Sequence, residues 1–366
     1  LLIPKVADAH GSLPSVFEIA ERDAEIIGLG TTFGLIVADD SGRFRWSCAD
    51  AVGELVSGYV IHSHNDIIAV TRSGVWRSTD AGCSYEKLET AVGDLPISEV
   101  RTNQGRSIVT TSSPIEPNGV FSSDDGGLSW SAMGGQMDGV ALFGLAVDGE
   151  RIVVSGLSAD GWALFDWTAE GPELIAPLPE GTLDAELWIV EGDIWVADII
   201  ANESELHRVV GDATEQVGER LEAVITDVVR QSERVLVATD ADQLYEVASG
   251  GLFLLEDVAG TCFVDLEDGT PARCGAPANE FAVHAGLVGE SQGVLRFADV
   301  GPALCIADET HVCASLWPFA ARLMGAPEEL DAEPAPKTGC TSANLSVGGS
   351  ISFSLLMAAL LWRRRR

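Results

Sequence analysis

Basic residues are scarce in this chain. Lys and Arg number 22 against 56 Asp and Glu in 366 residues, a formal charge of −34 at pH 7. Such a surface repels polyanions, which removes nucleic acid from the partners the folded part can take. Tyrosine occurs only three times and methionine four times. No Gly-rich phosphate loop, dinucleotide fingerprint, serine nucleophile elbow or zinc-protease helix motif is present. The cysteines form no CxxC pair and the six histidines are scattered, so a cysteine-based zinc site is not expected. Long apolar runs are absent except near the C-terminus, and 39 Gly with 15 Pro interrupt the remainder too often for long helices. What is present is enough apolar material for a core: 46% hydrophobic residues and a mean hydropathy of +0.19.

Internal repetition organises that material. Ser78-Thr79-Asp80-Ala81-Gly82-Cys83-Ser84-Tyr85 and Ser123-Asp124-Asp125-Gly126-Gly127-Leu128-Ser129-Trp130 share the form S-x-D-x-G-x-S-aromatic, 45 residues apart. A degenerate copy runs from Asp40-Ser41-Gly42 to Trp46, 40 residues before Asp80. Each follows an apolar strand opened by glycine, at Gly34, Gly74 and Gly119. The residue set suits a hairpin: Ser78, Asp80, Ser123 and Asp125 accept turn amides, Gly82 and Gly127 supply positive φ, and Tyr85 and Trp130 fold back between sheets. Aliphatic strands also start near Ile26, Ile67, Ser107, Arg151, Asp193, Arg234 and Phe281, at separations of 41, 40, 44, 42, 41 and 47. A period of about 45 residues is one four-stranded blade. Seven starts therefore predict an all-β chain of seven antiparallel four-stranded blades, with Val16 to Ile19 supplying the strand that closes the ring.

The repeat resembles the Asp-box, or BNR repeat, of sialidases, sortilin-type receptors and related β-propellers. That resemblance implies a sialidase/sortilin-like seven-bladed β-propeller whose Asp-box residues are structural. It does not carry over sialidase chemistry. The only Ile-Pro, Ile3-Pro4, lacks a preceding Arg, and Tyr85 belongs to the Asp-box, which leaves few residues for a tyrosine nucleophile.

Both ends read as addresses. Ala7-Asp8-Ala9 has the small-x-small form of a signal-peptidase site, so residues 1–9 are expected to be a residual signal peptide and 10–322 the propeller. Residues 323–339 read as a flexible linker, rich in Pro, Ala and Glu after Leu330. Residues 340–366 hold Cys340, a small polar stretch, an apolar run and Arg363 to Arg366, without one acidic residue. This order resembles the MYXO-CTERM C-terminal sorting signal of myxobacterial surface proteins. The resemblance implies lipidation at Cys340, a sorting protease as partner and contact with a membrane; a permanent single-pass anchor is the alternative. Export agrees with the cysteine count. Setting Cys340 aside leaves six, enough for three disulfides. Cys262 with Cys274 and Cys305 with Cys313 would close short loops, leaving Cys48 for Cys83, although the count does not select that pairing.

Candidate chemistry is sparse. The loops between second and third strands carry Glu116, Asp160, Asp198, Glu203, Asp240 and Asp242, a ring that would suit calcium or a cationic partner, or simply solvated acids. His62 and His64 should share one face of a strand, and Trp162, Trp167, Trp195 and Trp317 suit either sugar stacking or a core. The expectation is an exported, cell-surface propeller that binds a protein or glycan without catalysis and without an obligatory cofactor. The alternatives are a glycoside hydrolase using loop carboxylates and an assembly factor resembling the photosystem assembly propellers. No catalytic residue or metal ligand can be named from the sequence.

Overall fold

A computed structural model describes residues 16–22, 25–31, 33–103, 105–231, 233–241, 243–255, 262–265, 271–275, 282–285, 292–303, 305 and 310–326. These residues form seven antiparallel sheets, each built from four consecutive strands. The first strands of the sheets are Val16–Arg22, Val56–Ser63, Ile97–Asn103, Ala141–Asp148, Asp184–Val190, Ile225–Gln231 and Cys262–Asp265. Each lies against the first strand of the next sheet, and the last lies against Val16–Arg22. The first strands thus encircle an axis and the sheets stand outward from it, the arrangement of a β-propeller.

Period-2 alternation explains why the sheets stack. Successive residues point to opposite faces, and second strands such as Asp66–Thr71 and Arg106–Thr111 are buried at consecutive positions, so each sheet must cover both faces with its neighbours. Seven apolar clusters fill the seven interfaces between adjacent sheets. Each fully buried aliphatic side chain there contributes about 1.5–3 kcal/mol. Hairpin entry is set by glycine where backbones crowd: Gly74 has φ +114°, and a Cβ on it would lie 2.4 Å from the Gly93 carbonyl oxygen. The Thr71 hydroxyl donates to the Gly74 carbonyl at 3.0 Å, as Thr31 does to Gly34 at 2.6 Å.

Several expectations are corrected. Val16–Arg22 does not complete the last sheet; it is the innermost strand of the first and pairs with Glu25–Thr31. Closure comes instead from the C-terminal side, where Gly301–Pro302 adds in parallel to Phe44–Ser47 at the outer edge of sheet 1. Six of the aliphatic starts are second strands, but Phe281 precedes Ala282–Ala285, the third strand of sheet 7. The second strand there is Pro271–Gly275, whose Pro and Arg conceal it among the aliphatic runs. The helix Trp317–Met324 and the buried Ala326 carry the packed body beyond Arg322, into the stretch read as linker. Among the described residues no helix is long and apolar enough to cross a membrane.

Two of the three expected disulfides, Cys48 with Cys83 and Cys305 with Cys313, are replaced by others. Cys48 pairs with Cys313 and Cys83 with Cys305, across sequence separations of 265 and 222 residues. Short-loop reasoning fails in a ring, because the end of the chain returns to its beginning. The segment after sheet 7 crosses sheet 1, where Trp317 packs on Trp46 with ring centroids 5.9 Å apart. His311 joins the two bridges, contacting the Cys83 carbonyl oxygen through Nε2 at 2.8 Å while its Nδ1 accepts from the Cys313 amide. In the chain-entropy description, cross-links over loops this long stabilise by about 5 kcal/mol for the first, and by less for a second that closes a nested loop. Two disulfides place the protein in an oxidising compartment. Cys262 stands directly opposite Cys274 in the register of sheet 7; their side chains lie outside the described residues, as do Cys340, the N-terminal segment and the C-terminal apolar run.

Candidate functional site

The chain concentrates carboxyl groups where its first strands meet. Glu99, Glu186 and Asp227 are each the third residue of the inner strand of sheets 3, 5 and 6. The residue after each, Val100, Leu187 or Val228, is buried against the preceding sheet. Alternation therefore turns the acid the other way, toward the axis and the following sheet. Glu99 accepts the amide of Leu145 in sheet 4. Asp227 Oδ2 accepts the amide of Phe263 in sheet 7 at 2.7 Å, and its Oδ1 accepts that of Val228 at 2.9 Å. The equivalent place in sheet 2 is Gly58, where a Cβ would lie 2.3 Å from Val100 Cγ1. In sheet 4, Gly144 comes so close that a Cβ would lie 2.3 Å from the Ala185 carbonyl oxygen.

Among the described residues one cation serves this group. The Arg101 guanidinium contacts Glu99 on its own strand and lies 3.9 Å from Glu186 Oε2, two sheets away. Side chains from sheets 3 and 5 can meet only in front of sheet 4, on the axis. Burial pushes Glu99 up to about 8, opposed by Arg101 and reinforced by Glu186. Burial also pushes Asp227 up to about 6 and raises Glu186. The Glu186 side chain keeps 36% of its surface accessible, but that surface opens between the inner strands, where protein replaces most of the solvating water. At neutral pH the axis thus holds Glu99 mostly protonated and Asp227 mostly ionised.

The hairpin turns of sheets 2 and 3 use carboxylates differently. Asp80 Oδ1 accepts from the Ser78 hydroxyl at 2.8 Å, the Cys83 amide at 3.1 Å and the Ser84 amide at 2.9 Å, while Oδ2 takes the Ser84 hydroxyl at 2.6 Å. Asp125 repeats this with Ser123 and Ser129. The Ser hydroxyls receive the amides of Gly82 and Gly127, and Trp130 Nε1 donates to the Gly127 carbonyl. In the degenerate copy the acceptor is Asp39, not Asp40. Asp39 takes the Ser41 and Arg43 amides and Arg45 Nε, whereas Asp40 is exposed beside His64 at 3.3 Å.

Other sequence candidates are not brought together. Glu116, Asp160 and Asp240 are exposed on separate loops, Glu203 is bound by Arg220, and Asp198 is wholly buried on its strand; Asp242 lies outside the described residues. No ring of loop carboxylates results among the described residues. His62 reaches the Gly126 carbonyl of sheet 3 and His64 reaches Asp40 of sheet 1, so they diverge. A register shift between Ile61 and Ser63 accounts for the lost alternation. Trp162, Trp167, Trp195 and Trp317 are all buried and belong to the core.

No protein-family model matches the chain, and no curated protein does. Solved structures similar to it include YCF48 from Cyanidioschyzon merolae, at 13% identity over 75% of this chain and 93% of that one, with a TM-score of 0.47. Another is described as YCF48 bound to D1 peptide, at 12% identity over 66% and 81%, with a TM-score of 0.44. The GH74 xyloglucanase from Xanthomonas campestris shares 12% identity over 76% of this chain and 53% of its own, with a TM-score of 0.46. Fold likeness at this level does not transfer a function.

The axial acids were missed by sequence reasoning, yet a signal existed. Glu186 and Asp227 are 41 residues apart and Glu99 and Glu186 are 87 apart, one and two blade periods, and each precedes a Val or Leu.

Proposed function

We propose that the chain is an exported, non-catalytic propeller of seven blades, of the sialidase/sortilin-like Asp-box type, that binds a protein or glycan at the cell surface through its loops. The observation that carries this reading is the place of Arg101. A glycosidase leaves the space between its paired carboxyl groups open for sugar and water; here a guanidinium lies between Glu99 and Glu186. Backbone amides of neighbouring inner strands bind Glu99 and Asp227. These acids therefore join sheets, and recognition is left to the loops. The charge of −34 favours neutral or cationic ligands. The two disulfides support export, and the tail beginning at Cys340 supports retention at a membrane.

Glycoside hydrolysis is the second reading, favoured by one observation: Glu99 holds its proton at neutral pH beside ionisable Glu186, as a general acid must. One experiment separates the two. The full chain is incubated with a panel of polysaccharides, and both bound glycan and newly released reducing ends are measured. Binding without release supports the module; release that Glu99→Gln abolishes establishes the hydrolase. Surface display is tested by protease shaving of intact cells, with Cys340→Ala expected to reduce the cell-associated fraction.

A further inference from the structure

Away from the axis, the strands Asp193–Ile200 and Glu203–Val210 of sheet 5 hold a second group of polar side chains. Their register sets Asp198 opposite Glu205 and Val196 opposite His207. Opposed residues share a face, and so do residues two apart on one strand. Asp198, Glu205 and His207 therefore project together, on the same face as Ile194 and Val196, which pack against sheet 4. One ligand atom from each lies within 4.8 Å of the other two.

Burial makes this arrangement unusual. Asp198 is fully buried and His207 is 4% exposed. The one side-chain donor near the Asp198 carboxylate, the Thr182 hydroxyl, donates instead to the Pro179 carbonyl at 2.8 Å, so neither Asp198 oxygen has a well-formed hydrogen bond, and neither ring nitrogen of His207 has one. His207 Nε2 lies 3.5 Å from Glu205 Oε2 without forming a hydrogen bond. Leaving such groups unpaired in the interior is costly, and native proteins seldom do so. Glu205 is oriented from outside: Arg220 donates to its Oε1 through Nε at 2.8 Å and through the terminal nitrogen at 2.6 Å. That clamp leaves Oε2 facing His207.

We propose that Asp198, Glu205 and His207 bind one divalent first-row transition ion, of which zinc is the representative, between sheets 5 and 4. The donor set is one imidazole nitrogen and two carboxylate oxygens. This suits zinc and its neighbours, whereas calcium and magnesium prefer cages made wholly of oxygen. Ligand atoms around a tetrahedral zinc stand about 3.3 Å apart, close to the observed 3.5 Å between Glu205 and His207. The two strands fix all three Cα positions before any ion arrives, and Arg220 fixes one carboxylate, so little reorganisation is needed. A bound ion would supply the missing partner for every orphaned atom it ligates.

The test uses the full chain, freed of metal by chelation and then titrated with zinc alone, with calcium as the comparison. We expect one tightly held zinc per chain, a rise in thermal midpoint on zinc addition, and a cobalt derivative with the absorption of a low-coordinate nitrogen and oxygen site. Asp198→Asn, nearly isosteric, should weaken zinc affinity by at least about tenfold and abolish the zinc-induced rise. Without metal the same variant should melt higher than the unsubstituted protein, because it removes a buried unpaired charge. Glu205→Gln should weaken zinc in the same way, which keeps the test open should His207→Ala fail to fold. Wild-type affinity in Asp198→Asn and Glu205→Gln, zinc held only by dispersed weak sites, or preference for calcium over zinc would each overturn the proposal.

Discussion

Carboxyl groups in the hairpin turns and on the axis of the ring occupy opposite electrostatic states. Asp125 accepts the hydroxyl and amide of Ser129 and the hydroxyl of Ser123, and these bonds lower it to about 2. Asp39 reaches about 2 as well: burial pulls it upward, but the bonds from Ser41, Arg45 and Arg43 outweigh that pull. Glu99 stands at about 8 and Asp227 at about 6, both raised chiefly by burial. The balance between burial and donors decides the difference. Asp227 also accepts two amides, but on the axis enclosure outweighs the donors, while in the turns the amide and hydroxyl donors outweigh a lesser burial.

Stability should depend on pH with opposite signs in the two regions. A carboxyl lowered in the folded state stabilises above its unfolded value of about 3.9. For Asp39 and Asp125 that contribution is lost as pH falls toward about 2. A raised carboxyl costs nothing below its unfolded value. Its cost grows as pH climbs from about 4.3 toward the folded value for Glu99, and from about 3.9 for Asp227, then stays constant. The protein should therefore be most stable in mildly acidic solution. Its overall charge of −34 pushes the same way, so variants are needed to assign the effect.

The largest effect should come from Arg101→Leu. Removing the axial cation at pH 9, where Glu99 is ionised, should cost about 3–5 kcal/mol; at pH 5 Glu99 holds its proton and the cost should shrink. Urea unfolding at both pH values measures this, and an equal loss at both would mean that Arg101 acts by packing. Next, Glu99→Gln should stabilise at pH 8 by on the order of 2 kcal/mol and by only a small part of that at pH 5. A slope between pH 5 and 8 as steep as that of the unsubstituted chain would remove Glu99 from the axial charge balance. Asp125→Ala should cost about 1 kcal/mol at pH 6, because exposed bonds are partly replaced by water, and little at pH 2. Thermal melts at the two pH values check it. The smallest change, Ser129→Ala, should remove about 0.5 kcal/mol and move the acid limb of the stability curve upward in pH.

The turns were legible in the sequence because their chemistry is local. Ser123, Asp125, Gly127 and Trp130 occur within eight residues, and their bonds span no more. The second strands were legible because they are uniformly aliphatic, until sheet 7 began its own with Pro271. The axial acids were hidden among 56; what distinguishes Glu99 from a solvated glutamate is the presence of sheets 4 and 5 around it. The cysteine partners were hidden for a related reason. Closure brings Cys305 to Cys83 although 222 residues separate them, and no local rule reports closure.

The tie between the two ends of the ring has a consequence in time. During synthesis and export Cys48 and Cys83 emerge first, and their partners follow 265 and 222 residues later. Throughout that interval the early thiols face an oxidising environment with each other as the nearest mates. A bridge formed between them then would hold sheets 1 and 2 in a covalent state that the finished ring does not contain. It must be reopened by thiol–disulfide exchange before the C-terminal segment can lock down. Refolding from the reduced chain should therefore yield more correctly bridged protein when a disulfide isomerase is added than when oxidant alone is supplied.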